Sequence, residues 1–196
     1  MKARTSRISR KTKETDVKVS VNLEGKGKYK VETGIGFLNH MLELFSKHSL
    51  IDITVKAKGD LEIDEHHTVE DVGICLGKAL RKALDDKKGI ERYGFLLPMD
   101  EALAEVAIDL GGRSYLVWNA SFKREKIGDM PTELFEDFFK SVADNLKANI
   151  HINVKYGRNE HHIAESIFKS FARALRFAVS RDKRAKDLLP STKGKL

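Results

Sequence analysis

A single cysteine in 196 residues excludes an intrachain disulfide and agrees with a reducing compartment. That residue, Cys75, sits in the apolar run Val72-Gly73-Ile74-Cys75-Leu76 and reads as a small core residue. No apolar run approaches the roughly 20 residues of a membrane-spanning helix. The opening stretch from Met1 to Lys13 is basic and lacks the apolar centre of a secretory signal, so it is expected to belong to the mature chain. The basic residues are spread along the chain without the aromatic interleaving of a base-stacking surface. These absences together lead us to expect a cytoplasmic protein with neither a membrane nor a nucleic acid as its partner.

What the chain has instead is positive charge and length. Lys and Arg number 36 against 29 Asp and Glu, a net charge of +7, which suits small anionic ligands. Hydrophobic residues at 41% with 33% charged are ordinary for a soluble protein, and 196 residues suffice for a substantial core.

The most informative feature is a short string that occurs twice, His66-His67-Thr68-Val69-Glu70 and His161-His162-Ile163-Ala164-Glu165. Each copy runs on into an apolar, helix-like stretch. On a helix, His66 and Glu70 are i and i+4 and share one face, as do His161 and Glu165. His67 and His162 point roughly 100° away around the helix. Such a helix offers two ligands to one metal and a third to another. One His-His pair alone would read as a surface feature; the repetition points to a metal.

The rest of the chain repeats in step with these strings. Residues 14–24 and 28–33 alternate as strands, 37–48 suit a packed helix, 51–57 alternate again, and the first histidine string opens a helix ending near Lys88, with Gly89 as its stop. In the second half, 102–109 and 114–121 are strand-like and 123–131 is a loop. A helix is expected over 132–147 with Thr132 as its N-cap, then a strand over 150–155. The second histidine string opens a helix to about Arg181. The reading is therefore α+β, two strand-strand-helix-strand-helix halves over residues 1–92 and 93–181, followed by a basic tail over 182–196.

Aligning the halves, with about two extra residues in the second, places Asp137 opposite His40. A pseudo-twofold axis between the halves then makes ligands come in swapped sets. One site would take His40, His67, His161 and Glu165; its twin would take His66, Glu70, Asp137 and His162. Imidazole with carboxylate and no thiolate suits Mn²⁺ or Fe²⁺ by geometry, with Zn²⁺ competing by affinity. His48 follows an apolar helix and is expected either to cap it or to touch substrate. His151 reads as a strand residue.

Gly34-Ile35-Gly36-Phe37-Leu38-Asn39-His40-Met41-Leu42, the string HHTVED over 66–71, Gly111-Gly112-Arg113 and the stretch 161–169 resemble the imidazoleglycerol-phosphate dehydratase family, in order and over nearly the whole chain. The resemblance implies a ribosomal protein S5 domain 2-like fold, its duplicated sheets packed on a helix layer. It implies dehydration of erythro-imidazole glycerol phosphate to imidazole acetol phosphate in histidine biosynthesis. It also implies two Mn²⁺ ions per active site, acting through a dimanganese-bound imidazolate, and a large cubic homo-oligomer, a 24-mer, with sites between subunits.

By the same resemblance Glu14 carries the proton transfer, with His67, His162 and Glu165 as further catalytic residues. Substrate would be held by Glu14, His40, His48, His66, His67, Glu70, Arg92, Arg113, His161, His162, Lys169, Ser191 and Lys193, the cationic members facing phosphate and the tail closing over it. The chain departs from the common pattern at Asp137, where many members have histidine. Two other readings stand beside this one: a dinuclear hydrolase of a phosphorylated metabolite, and a non-catalytic metal- or nucleic-acid-binding module.

Overall fold

In the computed structural model, which describes residues 4–94, 97–182, 185, 188–194 and 196, each half is a sheet with two helices. The first sheet has β1 (Thr5–Lys11), β2 (Thr15–Asn22), β3 (Tyr29–Glu32) and β4 (Asp52–Gly59) in the order β1-β2-β4-β3. Helix α1 (Gly36–Ser49) joins β3 to its parallel neighbour β4, and α2 (His66–Leu84) follows. The second sheet repeats this plan with β5 (Tyr93–Gly94), β6 (Leu97–Met99), β7 (Ala102–Asp109), β8 (Tyr115–Asn119) and β11 (Asn149–Tyr156), where β5 and β6 both pair with β7. Between β8 and β11 come a two-residue-per-strand hairpin, β9 (Lys126–Ile127) and β10 (Met130–Pro131), and helix α3 (Leu134–Leu146); α4 (Glu160–Val179) closes the half.

Period-2 patterning decides which face of each sheet is covered. Val17, Val19 and Val21 of β2 and Ala104, Val106 and Ile108 of β7 are buried, while Lys18 between them faces out. The helices cross between halves: α1 lies beside α4 and α2 beside α3. Phe45 of α1 stacks on Phe171 of α4 at 5.6 Å, and Phe139 of α3 meets Phe168 and Phe171 of α4 at 5.0 and 5.3 Å. Each such ring adds about 1.5–3 kcal/mol by burial. Cys75 is fully buried in this core, which raises its thiol pKa to about 11 and leaves it unreactive.

The structure corrects the sequence reading in four places. Each half has an extra leading strand, β1 or β5 with β6. β1 escaped notice because TSRISRK carries one apolar residue, Ile8, as suits a charged sheet edge. The loop over 123–131 contains the β9–β10 hairpin. Thr132 is no N-cap: α3 begins at Leu134, and the Thr132 hydroxyl donates to the carbonyls of Arg124 and Glu125. Helix α2 stops at Leu84, before Gly89, with Asp85 and Lys87 both at positive φ. Among the described residues no helix is long and apolar enough to cross a membrane.

Two glycines one turn apart let α2 and α3 approach. A Cβ on Gly73 would meet the Phe138 carbonyl oxygen at 2.9 Å, and one on Gly77 the Val142 carbonyl oxygen at 2.8 Å. Backbone atoms on a packed helix cannot give way. Gly77→Ala should therefore destabilise the protein despite the gain of about 1 kcal/mol in helix propensity, because overpacking costs about 1–3 kcal/mol. Thermal unfolding checks this; a raised Tm would show that the two helices are free to separate.

Candidate metal centre

His40 near the N-terminus of α1 and His161 near that of α4 come together, and the sequence builds that meeting with one glycine turn and two polar devices. Gly34 takes φ +85° and turns the chain into α1. Asn39 folds back, its side-chain oxygen accepting from the Thr33 backbone N–H and hydroxyl at 3.0 and 2.7 Å. The first N–H groups of α1, those of Gly36 and Phe37, donate to the Asp129 carboxylate at 2.6 and 3.0 Å. Asp129 belongs to the β9–β10 turn, so the second half caps a helix of the first. Burial by itself would raise the Asp129 pKa; the N–H donors outweigh it and hold the carboxyl below its ordinary value.

His40, one turn into α1, thereby faces His161 and Glu165 of α4. The three offer ligand atoms within 4.8 Å of one another. His40 Nε2 is 2.8 Å from Glu165 Oε1, and His161 Nε2 is 3.6 Å from it. Phe37 packs edge-on to both imidazoles. Burial pushes the Glu165 carboxyl up, but hydrogen bonds from Lys169 and His40 win and it lies below the ordinary glutamate range. Lys169 is thus occupied, its Nζ 2.9 Å from Glu165 Oε2. His48 lies nearby and half-buried; burial first, then the charges of Lys169 and Arg173, hold it toward the neutral form.

The twin set assembles less tightly. His66 Nδ1 is 3.8 Å from Asp137 Oδ2, across the α2–α3 contact. Glu70 is half-buried on the same helix, one turn after His66. Among the described residues these donors do not close into a second group of three.

Neither repeat-derived quartet forms within one chain. His67 is turned away from His40, His161 and Glu165, with its Nδ1 3.0 Å from Asp60 Oδ2. His162 is likewise turned away from His66, Glu70 and Asp137, its Nδ1 2.8 Å from Glu101 Oε2. The cause is the packing: His67 lies on α2 and His162 on α4, whereas the group each was expected to join lies on the other pair of packed helices, α1 with α4 or α2 with α3. Both imidazoles have raised pKa values, chiefly through those carboxylates, and Glu101 is lowered to about 2, chiefly by His162. Glu14 is exposed at the β1–β2 turn, and its charge reaches His67.

The expected phosphate ligands lie elsewhere. Arg92 grips Asp109 with two donors at 2.5 and 2.9 Å and donates a third to the Pro190 carbonyl, which ties down the tail before Ser191. The Ser191 hydroxyl oxygen accepts from the Lys193 backbone N–H, and Arg113 is exposed beside the Gly111-Gly112 turn. Asp109 ends β7 and Glu101 precedes it, so Arg92 and His162 are separated by roughly 25 Å of strand.

Sequence reasoning passed over Asp60, Glu101, Asp129 and Asp71. The last is a buried carboxylate of the HHTVED string that takes hydrogen bonds from Arg10 and Thr15 and so locks β1 and β2 to α2. One signal was readable: Asp64 and Asn159 each precede a histidine string by two residues and accept from the backbone N–H of His66 and His161.

Comparison with known proteins places this geometry. A model of the imidazoleglycerol-phosphate dehydratase family matches residues 33–175. The chain is 55% identical over 192 residues to an imidazoleglycerol-phosphate dehydratase of Clostridium kluyveri, covering 97% of this chain and 98% of that protein. It is 58% identical over 194 residues to the histidine biosynthesis bifunctional protein HisB of Spirosoma linguale, covering 99% of this chain but 50% of that longer protein. A crystal structure of imidazoleglycerol-phosphate dehydratase from Staphylococcus aureus superposes with TM-score 0.82 at 41% identity, covering 91% of this chain and 99% of that one.

The cap from Asp129 yields a test of how the centre is held. Asp129→Ala should cost about 1 kcal/mol, a fall in Tm of about 2–4 °C for a chain of this size. The depressed carboxyl stabilises above the ordinary aspartate pKa of 3.8 and loses its effect as pH falls through the folded value. The gap in Tm between wild type and variant should therefore close in strong acid; a gap independent of pH would disprove the charged cap.

Proposed function

The chain belongs to the imidazoleglycerol-phosphate dehydratase family, and from that premise we propose that it eliminates water from erythro-imidazole glycerol phosphate to give imidazole acetol phosphate in histidine biosynthesis. It is a carbon–oxygen hydro-lyase. The observation that carries the reading is the group of His40, His161 and Glu165, already drawn together within 4.8 Å by two helices from different halves.

That donor set fits a divalent cation such as Mn²⁺: two imidazole nitrogens, a carboxylate oxygen, no thiolate. His40, His161 and Glu165 would hold one ion, and His66, Glu70 and Asp137 a second. When bound, the two ions would supply Lewis-acid withdrawal of electron density at the ring nitrogens of the substrate. His67 and His162 face outward from both groups, so each would complete a site on another copy of the chain. The separation of Arg92 and the tail from the histidines supports the same reading: a homo-oligomer, of the cubic 24-subunit kind that the family resemblance implied, with sites between subunits.

The chain's own residues then divide the work. Exposed Glu14, beside His67, takes the proton from the substrate carbon as the C–H bond breaks. The hydroxyl on the carbon next to the ring takes up a proton that balances the one Glu14 removed and leaves as water, and the resulting enol tautomerises to the ketone. Arg113, Lys193 and Ser191 would hold the phosphate, with Arg92 fixing the tail that carries two of them.

Turnover should vanish on chelation and return with Mn²⁺, and the product should be a ketone that retains phosphate. Release of inorganic phosphate instead would favour the hydrolase reading. His67→Ala and His162→Ala should each lower activity by at least about 100-fold and reduce bound metal, measured by elemental analysis. Because both imidazoles have pKa values raised above 6.5, protons should already compete with Mn²⁺ above that pH. Mn²⁺ affinity unchanged on acidification from pH 8 to 6 would count against these two ligands.

A further inference from the structure

Asp60 and Glu101 do the same thing from opposite sides of a repeat. Gly59 ends β4 and Gly157 follows β11, and a Cβ on either would strike the helix that follows, at Thr68 or Ile163. Thr15 pairs with Gly59 and Leu103 with Tyr156, so the positions just ahead of β2 and β7 correspond, and Glu14 is the counterpart of Glu101. Asp60 lies in the loop between Gly59 and His66, which is three residues longer than the loop between Gly157 and His161. The residues between β11 and α4, Gly157-Arg158-Asn159, carry no carboxylate. In the second half the carboxylate that meets the histidine therefore comes from Glu101, whose other oxygen accepts from the N–H groups of Arg158 and Asn159 at 3.3 and 2.8 Å. In the first half Asp60 meets His67 through Nδ1 at 3.0 Å, and Glu14 is left exposed, its carboxylate accepting no hydrogen bond among the described residues.

We infer that Asp60 and Glu101 are positioning residues that fix the proton on Nδ1 of His67 and His162, so that each ring presents Nε2 outward as a ligand, and that the aspartate at position 60 releases Glu14 from this duty for proton transfer. This rests on the metal-dependent dehydratase reading. A carboxylate accepts only from N–H, so it selects the tautomer with a bare Nε2. The repeat has thus diverged in this loop: where the second half spends its pre-strand glutamate on holding a ligand, the longer loop of the first half supplies Asp60 instead.

The chemistry of the amide makes the test sharp. In Glu101→Gln the side-chain oxygen stays with the two backbone N–H groups, so the NH₂ faces His162 and forces the wrong tautomer. Mn²⁺ titration of chelator-stripped full-length protein should show a loss of about 10–100-fold in affinity at half of the sites, with the melting of the metal-free protein little changed. In Asp60→Asn the amide can turn its oxygen to Nδ1, so the loss should be smaller. Glu14→Gln should keep wild-type Mn²⁺ affinity while losing turnover. The inference is overturned if Glu101→Gln binds Mn²⁺ as wild type does, or if Glu14→Gln weakens binding as much as Glu101→Gln. Should Glu101→Gln fail to fold, Asp60→Ala, which removes the acceptor outright, decides by the same titration: wild-type affinity there overturns the inference. A wild-type protein that turns over substrate without taking up Mn²⁺ would instead sink the metal reading itself.

Discussion

The contact of each half's helices with those of the other half is the constraint on which everything else depends. Because α1 lies against α4 and α2 against α3, His40 meets Glu165, and His66 meets Asp137, across the seam between the halves. Two different solutions hold the two contacts. The α2–α3 pair closes through Gly73 and Gly77, which bring backbone to backbone. The α1–α4 pair is spaced by rings, with Phe45 stacked on Phe171. The group with the larger spacers is the one in which three donors come together; the group at the close contact leaves His66 and Asp137 3.8 Å apart.

Packing of this kind also explains the cost structure of the centre. Glu165 is nearly buried, and its charge is sustained by Lys169 and His40 rather than by water. Within one chain Lys169 holds Glu165. Arg92, held by Asp109 and bonded to Pro190, positions the tail.

Much of this was legible before any coordinates. The repeat of HHxxE and the strands expected over 51–57 and 150–155 carry the duplication, because one helical face and one strand face must be preserved in each copy. Pairing His40 with the α4 string, and Asp137 with the α2 string, followed from symmetry alone. The leading strands were not legible, since β1 is an edge whose outer face is charged and β5 is two residues long. Thr132 looked like a cap because a hydroxyl before an apolar run usually is one; here two carbonyls of the preceding loop took it. Asp60, Glu101 and Asp129 were invisible for a common reason. Each acts on a residue far along the chain or in another element, with no spacing rule to announce it.

The adjacent histidines carry a further consequence. Two imidazoles on neighbouring helix positions cannot converge on one ion, since they diverge by roughly 100°. A helix that uses both as ligands must serve two places at once. One histidine of each pair, His66 or His161, faces the cross-half partner. The other, His67 or His162, faces outward with its Nδ1 engaged by a carboxylate. Among the described residues neither outward ring joins the group that His40, His161 and Glu165 form. On the proposed function the dipeptide therefore demands a second copy of the chain, and the number of open ligands per subunit, two, matches the number of incomplete groups it offers. A chain with that balance can finish every site only by closing on itself in an assembly, so the ligand pattern and the oligomer are a single requirement stated twice.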